Sequence, residues 1–585
     1  MPKCLSTTTS VLVIFVLIYG NSFSQVNWAF SFQGSSGTAV EKITQDSAGD
    51  IVITGGFTGN GADFDPSTKS HILNTKGGQD IFIAKYDINK NLKWALGIGG
   101  TYNDLVHGLA TDLEGNVYIC GSFLSDIAFA EEGTPGSYFN DSGTHGFFAK
   151  YNKDGIFQWA SVFEGGTSDC YGITLDLFNN IYLTGKIQNT VDLDPTSSAG
   201  ELKSIGGSDI FVAMFFANGK YNWGFRVGSN AAYYGYTYNE SGHDIKFCNG
   251  FLYVTGSFAG LTEFNPNPGT SYKRGSKGQL DPFLAKYDIL GNIQWVVNIA
   301  ASTSSDNAYA LDLDKDENVY ITGGIYYSAD FDASENIATI STNGGQDIFV
   351  AKYDKDGHYK WAFAAGGPNF DEYGLGISIN NKGDLFLTGT YHGVSDFDPS
   401  PDHNTATGSS TMYGQIFVAR YDTAMVFKWV IDIGLKAYAV YNHDIGKCIY
   451  GNDDGVVFVT GSFIKDADFD PSSNSYLLTS NDRINGFVAS YDANSIQMPS
   501  GVNSNQQQFS FGLYPNPTNG ILYIENISEV KSIFVCDHLG RAYSIVFENY
   551  GEGIRITDSN LPPGIYFISV NLQDGRKGLE RFVKL

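Results

Sequence analysis

The chain has 585 residues, a formal charge of −26, 69 glycines against 16 prolines, and 15% aromatic residues. That length exceeds one ordinary core unless the core repeats, and so much glycine and aromatic suits turn-rich β structure. The charge sets phosphate backbones, and hence nucleic acid, aside as partners, and apolar residues alternate rather than recurring at three and four, so an all-β chain is expected.

In chain order, residues 1–24 carry Lys3, the apolar run Val11 to Tyr19 and then Ser22-Phe23-Ser24. This is the layout of a cleavable secretory signal, too short to span a bilayer, so no transmembrane span is expected in the mature chain. Lys3 carries one positive charge, and residues 511–585 hold eight acids and seven bases, so the whole −26 belongs to the region between. Without Cys4 five cysteines remain, Cys120, Cys170, Cys248, Cys448 and Cys536, an odd number that argues against a disulfide framework.

From residue 25 to 497 one pattern is written seven times. Trp28, Trp94, Trp159, Trp223, Trp295, Trp361 and Trp429 are 66, 65, 64, 72, 66 and 68 residues apart. Small pairs such as Thr54-Gly55, Cys120-Gly121 and Thr184-Gly185 keep the same beat and are expected to end an apolar strand. A Phe-x-Ala strand recurs from Phe82 to Phe487. Each unit reads as four antiparallel strands, for example His107 to Asp112, Val117 to Phe123, Phe147 to Tyr151 and Phe157 to Phe163, with turns at Glu114-Gly115-Asn116 and Lys153-Asp154-Gly155. Four such strands make a propeller blade. The array opens on a lone Trp28 strand and ends at Phe487 to Asp492 with no Trp strand after it. One unit is thus cut across the two ends, and the expectation is a seven-bladed β-propeller closed by the N-terminal outer strand.

Tyr171-Gly172-Ile173-Thr174-Leu175-Asp176 and Asp347 to Trp361 resemble the pattern of bacterial SBBP-type β-propeller repeats. The resemblance implies the fold and says little of activity, since propellers host enzymes, binders and scaffolds.

Residues 498–510 are polar and uncharged and read as a linker. Residues 511–585 follow, with short strands at Leu522 to Ile524, Ile533 to Cys536, Ile554 to Ile556 and Ile565 to Val570 that suggest a small Ig-like β-sandwich. Leu513-Tyr514-Pro515-Asn516-Pro517-Thr518-Asn519-Gly520, Asp537-His538-Leu539-Gly540-Arg541, Leu561-Pro562-Pro563-Gly564-Ile565-Tyr566 and the ending Arg581 to Leu585, with Lys584, resemble in order the motifs of the type IX secretion sorting domain of Bacteroidetes-type bacteria. That resemblance implies delivery by the outer-membrane secretion machinery, removal of the domain, and a secreted or surface-attached product, expected here to be a monomer.

Two constellations could carry chemistry. Asp-Phe-Asp-Pro recurs at Asp63-Asp65, Asp396-Asp398 and Asp468-Asp470, where carboxylates two apart could share calcium or, as favoured here, fix the turn before proline; no cofactor is otherwise expected. The second follows from aligning the first strands, whose entry positions are Glu41, His107, Tyr171, His243, Tyr309, Tyr373 and His443, with Asp104, Asp169, Asp306 and Asp371 just before them. In a propeller these ring the channel mouth, and their aromatic faces and polar tips suit an extracellular glycan or a protein ligand. Catalytic signatures fail: residues 25–497 hold only Arg226, Arg274, Arg420 and Arg483, too few for a sialidase, and there is no nucleophile elbow, phosphate loop or Cys-x-x-Cys. The leading expectation is a non-catalytic binding or adhesion module. A polysaccharide-acting hydrolase or lyase is the alternative, because paired carboxylates abound.

Overall fold

The protein's computed structural model describes, in its first part, residues 26–32, 37–130, 137–230, 236–267, 271–301, 304–368, 370–400, 414–434, 444–470 and 474–496. In the tail it describes 513–516, 521–524, 530–537, 546–550, 553–557, 561–572 and 577–585, with a few single residues and short pieces besides. The chain divides into two compact units, Met1–Ile496 and Gln497–Leu585. Among the described residues the one helical element is a 3-10 turn at Ser198–Gly200, and no helix is long and apolar enough to cross a membrane.

The first unit consists of antiparallel sheets in succession. The first contains Gly37–Gln45, Ile51–Asp63, Ile72–Tyr86 and Leu92–Ile98, the second Asp104–Thr111, Val117–Ala128, Tyr138–Tyr151 and Phe157–Val162. The third to sixth open on Glu164–Leu175, Ser241–Cys248, Asn307–Leu313 and Tyr373–Ile379 and repeat the order. The seventh runs Ile445–Gly451, Val456–Asp468, Leu477–Asp492 and then Val26–Ser31, whose backbone pairs antiparallel with the preceding strand, Ala29 opposite Ala489. The expected strands of the second sheet are all present, but the middle two extend well beyond their expected bounds.

Period-two alternation in the third strands has a concrete use. In Thr339–Tyr353, Ile348 and Val350 pack with Leu385, Leu387 and Phe417 of the next sheet, while Phe349, Ala351 and Tyr353 pack with Tyr253, Leu284 and Val297 of the sheet before. Each sheet is therefore buried on both faces, as sheets stacked face to face require. The first and last sheets share a core in the same way, Phe30, Phe458 and Val488 with Ile43, Ile53 and Phe82.

The small pairs do not end strands. Ile51–Asp63 runs straight through Thr54-Gly55, and in every sheet the glycine stands opposite a β-bulge in the first strand. A Cβ on Gly55, Gly121, Gly185, Gly256, Gly323, Gly389 or Gly461 would lie 1.8–2.0 Å from a first-strand carbonyl oxygen, that of Ala39, Leu105, Asp169, Ser241, Asn307, Tyr373 or Ile445. Only glycine admits that approach, and the bulge it permits re-aims one side chain per sheet.

The tryptophans clasp one sheet to the turn of the next. The indole N–H groups of Trp28, Trp94, Trp223, Trp295, Trp361 and Trp429 donate to the carbonyls of Ile88, Lys153, Ile289, Lys355, Thr423 and Ala493 at 3.0–3.3 Å. Where the turn holds a glycine the ring rests on it: at Gly155 (φ +79) and Gly357 (φ +84) an added Cβ would sit 2.8 Å from Trp94 and Trp295, and at Gly219 3.0 Å from Trp159. The Asp-x-x-Gly and Trp signals thus report one contact between neighbouring units.

The second unit holds two four-stranded sheets. Alternate residues Leu522 and Ile524, Ile533 and Val535, Ile554 and Ile556, and Tyr566, Ile568 and Val570 form one core.

Candidate functional site

Each first strand packs against the first strands of the sheets before and after it, and the strand at Gly37–Gln45 contacts that at Ile445–Gly451. The bulges place Glu41, His107, Tyr171, His243, Tyr309, Leu375 and Lys447 at equivalent, half-buried positions along this line. Five of the seven residues expected from sequence alignment therefore hold equivalent places. Tyr373 comes two residues early, where its own carbonyl faces Gly389, and Leu375 takes the bulge; His443 lies outside the described residues, and the seventh bulge is Lys447. Aligning by aromatic chemistry rather than by the glycine across the strand produced that slip.

Neighbouring positions touch. The His107 ring centroid is 4.9 Å from Tyr171, Tyr171 is 5.8 Å from His243, and His243 stacks on Tyr309 at 5.4 Å. Tyr373, although out of register, extends the arc at 6.5 Å from Tyr309. Lys447 and Glu41 form an ion pair at 3.3 Å, so the line changes from aromatic to charged.

Asp169 is the polar hub of the arc, at the position two before the bulge. Its Oδ1 is 3.3 Å from His107 Nε2 across the junction and its Oδ2 is 3.9 Å from Lys186 Nζ, which lies over the Tyr171 ring at 5.2 Å. Burial pushes the Asp169 carboxyl up, but the hydrogen bond and charge of His107, with Lys186 and Ser122, outweigh it and hold Asp169 below the usual range. Burial, together with the Asp169 charge and hydrogen bond, raises the Tyr171 phenol well above its ordinary value. Lys186 carries no motif and was missed in the sequence; the one signal was its place directly after Gly185.

His243 is different in kind. Its Nδ1 is 2.8 Å from the Ala308 carbonyl of the next sheet and its Nε2 is 2.7 Å from Ser241 Oγ. Burial pushes its pKa down to about 4, so the ring is neutral, Nδ1–H donates to Ala308, and Nε2 accepts from the serine. Three residues beyond the bulge, Lys246 Nζ lies 3.9 Å from Asp312 Oδ1; burial disfavours that cation, yet Asp312 and Asp244 raise its pKa overall.

The acids named for calcium serve the turns. Asp63 Oδ1 accepts from the amides of Asp65 and His71, and Asp468 Oδ1 from those of Asp470 and Tyr476. Asp396 Oδ1 accepts from Asp398 N, while Asp65, Asp398 and Asp470 accept from Ser67, Ser400 and Ser472. The intervening phenylalanine carbonyls accept a tyrosine hydroxyl, as Tyr86 to Phe64 at 2.8 Å. At the opposite, turn end of the fifth and sixth sheets a cavity of about 240 Å³ is lined by Asp314, Asp316, Lys352, Lys382 and Thr423; it is the seam of the Trp361 clasp.

In the second unit the expected sorting residues split. Asn516 Oδ1 accepts from Val583 N at 2.9 Å, and Thr518 exchanges backbone bonds with Val583 and Leu585, so the Pro515-Asn516 loop grips the strand that carries Lys584. Tyr566 is buried, donates to the Pro562 carbonyl at 2.8 Å and stacks on Phe582, with Gly564 beside its ring. Pro517, Gly520, Gly540 and Arg541 lie outside the described residues.

Residues 512–584 match the family of secretion system C-terminal sorting domains. This domain directs the chain to the cell surface or the extracellular space and implies engagement with the type IX secretion system. Elsewhere the similarities are distant. The chain is 23% identical over 510 residues, 74% of its length and 35% of the relative's, to an uncharacterized WD repeat-containing protein of Acanthamoeba polyphaga mimivirus. It is 26% identical over 291 residues, 48% of its length and 29% of the relative's, to the regulatory protein FlaEY of Caulobacter vibrioides. The chain thus spans about a third of these curated relatives. Among solved structures, a protein of unknown function from Dyadobacter fermentans overlaps 80% of this chain and 98% of its own at 10% identity and a TM-score of 0.33. Hydrazine synthase from Kuenenia stuttgartiensis overlaps 95% and 68% at 10% and 0.29. At those scores neither superposition carries a conclusion.

Proposed function

We propose that the first unit is a seven-bladed, SBBP-like β-propeller, closed by Val26–Ser31, that binds an extracellular glycan or protein at its channel mouth without catalysis, and that the second is an Ig-like sandwich engaged and removed by the outer-membrane secretion machinery. Closure is supported by the pairing of Val26–Ser31 with Leu477–Asp492 and by Trp28 clasping the first sheet's turn as Trp94 clasps the second's. The printed name of the mimivirus relative agrees, since WD repeats are blade repeats. The binding reading rests on one observation, the continuous arc from His107 through Tyr171, His243 and Tyr309 to Tyr373 beside an ionised Asp169. Aromatic faces and polar tips with few apolar neighbours suit a sugar or a polar peptide. No calcium is required in this reading, and the protein acts as a monomer.

The test is a glycan array and a peptide display on the secreted protein, followed by Tyr171→Ala and Tyr309→Ala. Both variants lose binding of whatever the parent retains; unchanged binding overturns the assignment of the mouth. A polysaccharide lyase or hydrolase is the second reading, favoured by the contact of His107, Tyr171 and Lys186 with one carboxylate, Asp169. Turnover of an array hit, abolished by Tyr171→Phe, would replace the binder with that enzyme.

A further inference from the structure

At each junction a residue two before the Phe-x-Ala phenylalanine of one sheet meets a residue three before the bulge of the next. The pairs are Asp80 with Asp104, Gly146 with Ser168, Asp209 with Glu240, Asp281 with Asp306, Asp347 with Glu372, Gln415 with Asp444, and Asn485 with Thr38. A recurring backbone bond holds them together: Glu240 N to Ser208 O, Asp306 N to Leu280 O, Glu372 N to Gln346 O and Asp444 N to Gly414 O, at 2.7–3.2 Å. Every acid among them is at most 2% exposed.

Four junctions therefore bury two carboxyls each. At one, Arg226 reaches Asp209 at 3.2 Å and Glu240 accepts from Ser229 and Ala259, so a cation stands at the pair, although Asp209 Oδ1 has no hydrogen bond and burial still raises Glu240 to about 8. Among the described residues no such cation is bonded to the other three. Asp80 Oδ2, Asp104 Oδ2, Asp306 Oδ1 and Asp347 Oδ2 accept from the amides of Lys76, Gly100, Tyr326 and Asn343. Asp80 Oδ1, Asp104 Oδ1, Asp306 Oδ2, Asp347 Oδ1 and both Glu372 oxygens have no well-formed hydrogen bond, although the Gly367 and His392 amides lie close to Glu372.

Two carboxyls buried at one junction and within reach of each other's charge need a cation or a proton. Calcium takes six to eight oxygens, whereas the neighbours of these acids are backbone N–H groups, which do not ligate a cation. Among the described residues, the one group of three ligand atoms that converges is Asp354, Asp356 and His358, on an exposed turn away from every junction.

We propose that Asp80–Asp104, Asp281–Asp306 and Asp347–Glu372 each hold one proton per pair in the folded protein, so that these three sheet junctions are closed by protonation. Charged groups facing them are few: Asp126 and Lys76 at the first, Lys277 at the second, and Asp371, itself bonded to the Tyr326 hydroxyl, at the third. Burial splits each pair. Asp80, Asp281 and Asp347 rise to about 6, while Asp104 rises to about 8, Asp306 to about 7 and Glu372 to about 9. The folded state keeps protons that the unfolded chain releases near the ordinary carboxylate range, so stability is highest on the acid side and declines as pH rises toward 9.

The experiment follows thermal unfolding of the full chain from pH 5 to pH 9, with infrared spectra in the carboxylic-acid carbonyl region. The parent should melt lower at pH 9 than at pH 5 and show protonated carboxyls at pH 7. Glu372→Gln, which keeps a donor against an ionised Asp347, should melt with a shallower fall and lose part of that band. An absent band at pH 7 overturns the proposal. So does a stoichiometric bound metal whose chelation lowers melting as much as alkali does. If Glu372→Gln does not fold, the infrared and chelation measurements on the parent decide alone.

Discussion

The two ends of the repeated sheets follow opposite rules. At the turn end the same contact is made again and again: an indole on a turn glycine, a ring nitrogen on a turn carbonyl, a lysine such as Lys85, Lys286 or Lys352 reaching the neighbouring turn. At the bulge end the backbone is equally regular, with one glycine opposite one bulge in all seven sheets, yet the residue presented is glutamate, histidine, tyrosine, histidine, tyrosine, leucine or lysine. Uniform side chains mark what every junction needs in order to stack. Varied side chains on a uniform backbone mark positions released from that duty, and the proposed ligand site lies among them.

The contrast can be broken most severely at the point where both ends of the chain meet. Deleting residues 26–32 removes a strand and the Trp28 clasp, exposes the edge of Leu477–Asp492, and should lower melting throughout the first unit; unchanged melting would refute closure. Next in size is the clasp itself. Trp295→Ala should cost about 2 kcal/mol for a half-buried indole, and Gly357→Ala a similar amount, because an added Cβ meets Trp295 at a left-handed φ. Denaturant unfolding measures both, and a cost near zero would mean that the repeat of tryptophans is not structural. At the bulge end the expected sign differs. Asp169→Asn should lower melting only slightly at neutral pH while bringing the Tyr171 phenol down toward its ordinary range, seen by NMR titration of labelled tyrosine, because burial still raises it but the Asp169 charge no longer does. A large stability loss there would make the arc structural. The smallest effect should come from truncating after Ile496: melting of the first unit stays the same, while export to the surface is lost.

Much of the repeat was legible because each signal answers a local need. Trp and Gly recur since a flat ring needs a residue without a side chain beneath it, and Asp-Phe-Asp-Pro recurs since the turn amides need an acceptor and the core a ring. The Thr-Gly pairs were equally visible but read wrongly as strand ends, because glycine in a strand marks a bulge as readily as a stop. The bulge positions were partly legible: Glu41, His107, Tyr171, His243 and Tyr309 occupy them, whereas Leu375 and Lys447, and Lys186 beside Tyr171, carry no polar or aromatic signature that singles them out. The acids Asp104, Asp306 and Asp371 were noticed beside the arc, but the structure gives them to the junctions.

By itself the sequence determined the period, the strand pattern, the cut unit that leaves Val26–Ser31 to join the last sheet, and the export signal in the tail. All of these are encoded by spacing along the chain. Tertiary structure decided which carboxyls lie against each other, which histidine is neutral and which aspartate gathers the charges of its neighbours. Those properties depend on burial and on partners about 25 to 65 residues away, and spacing alone does not specify them.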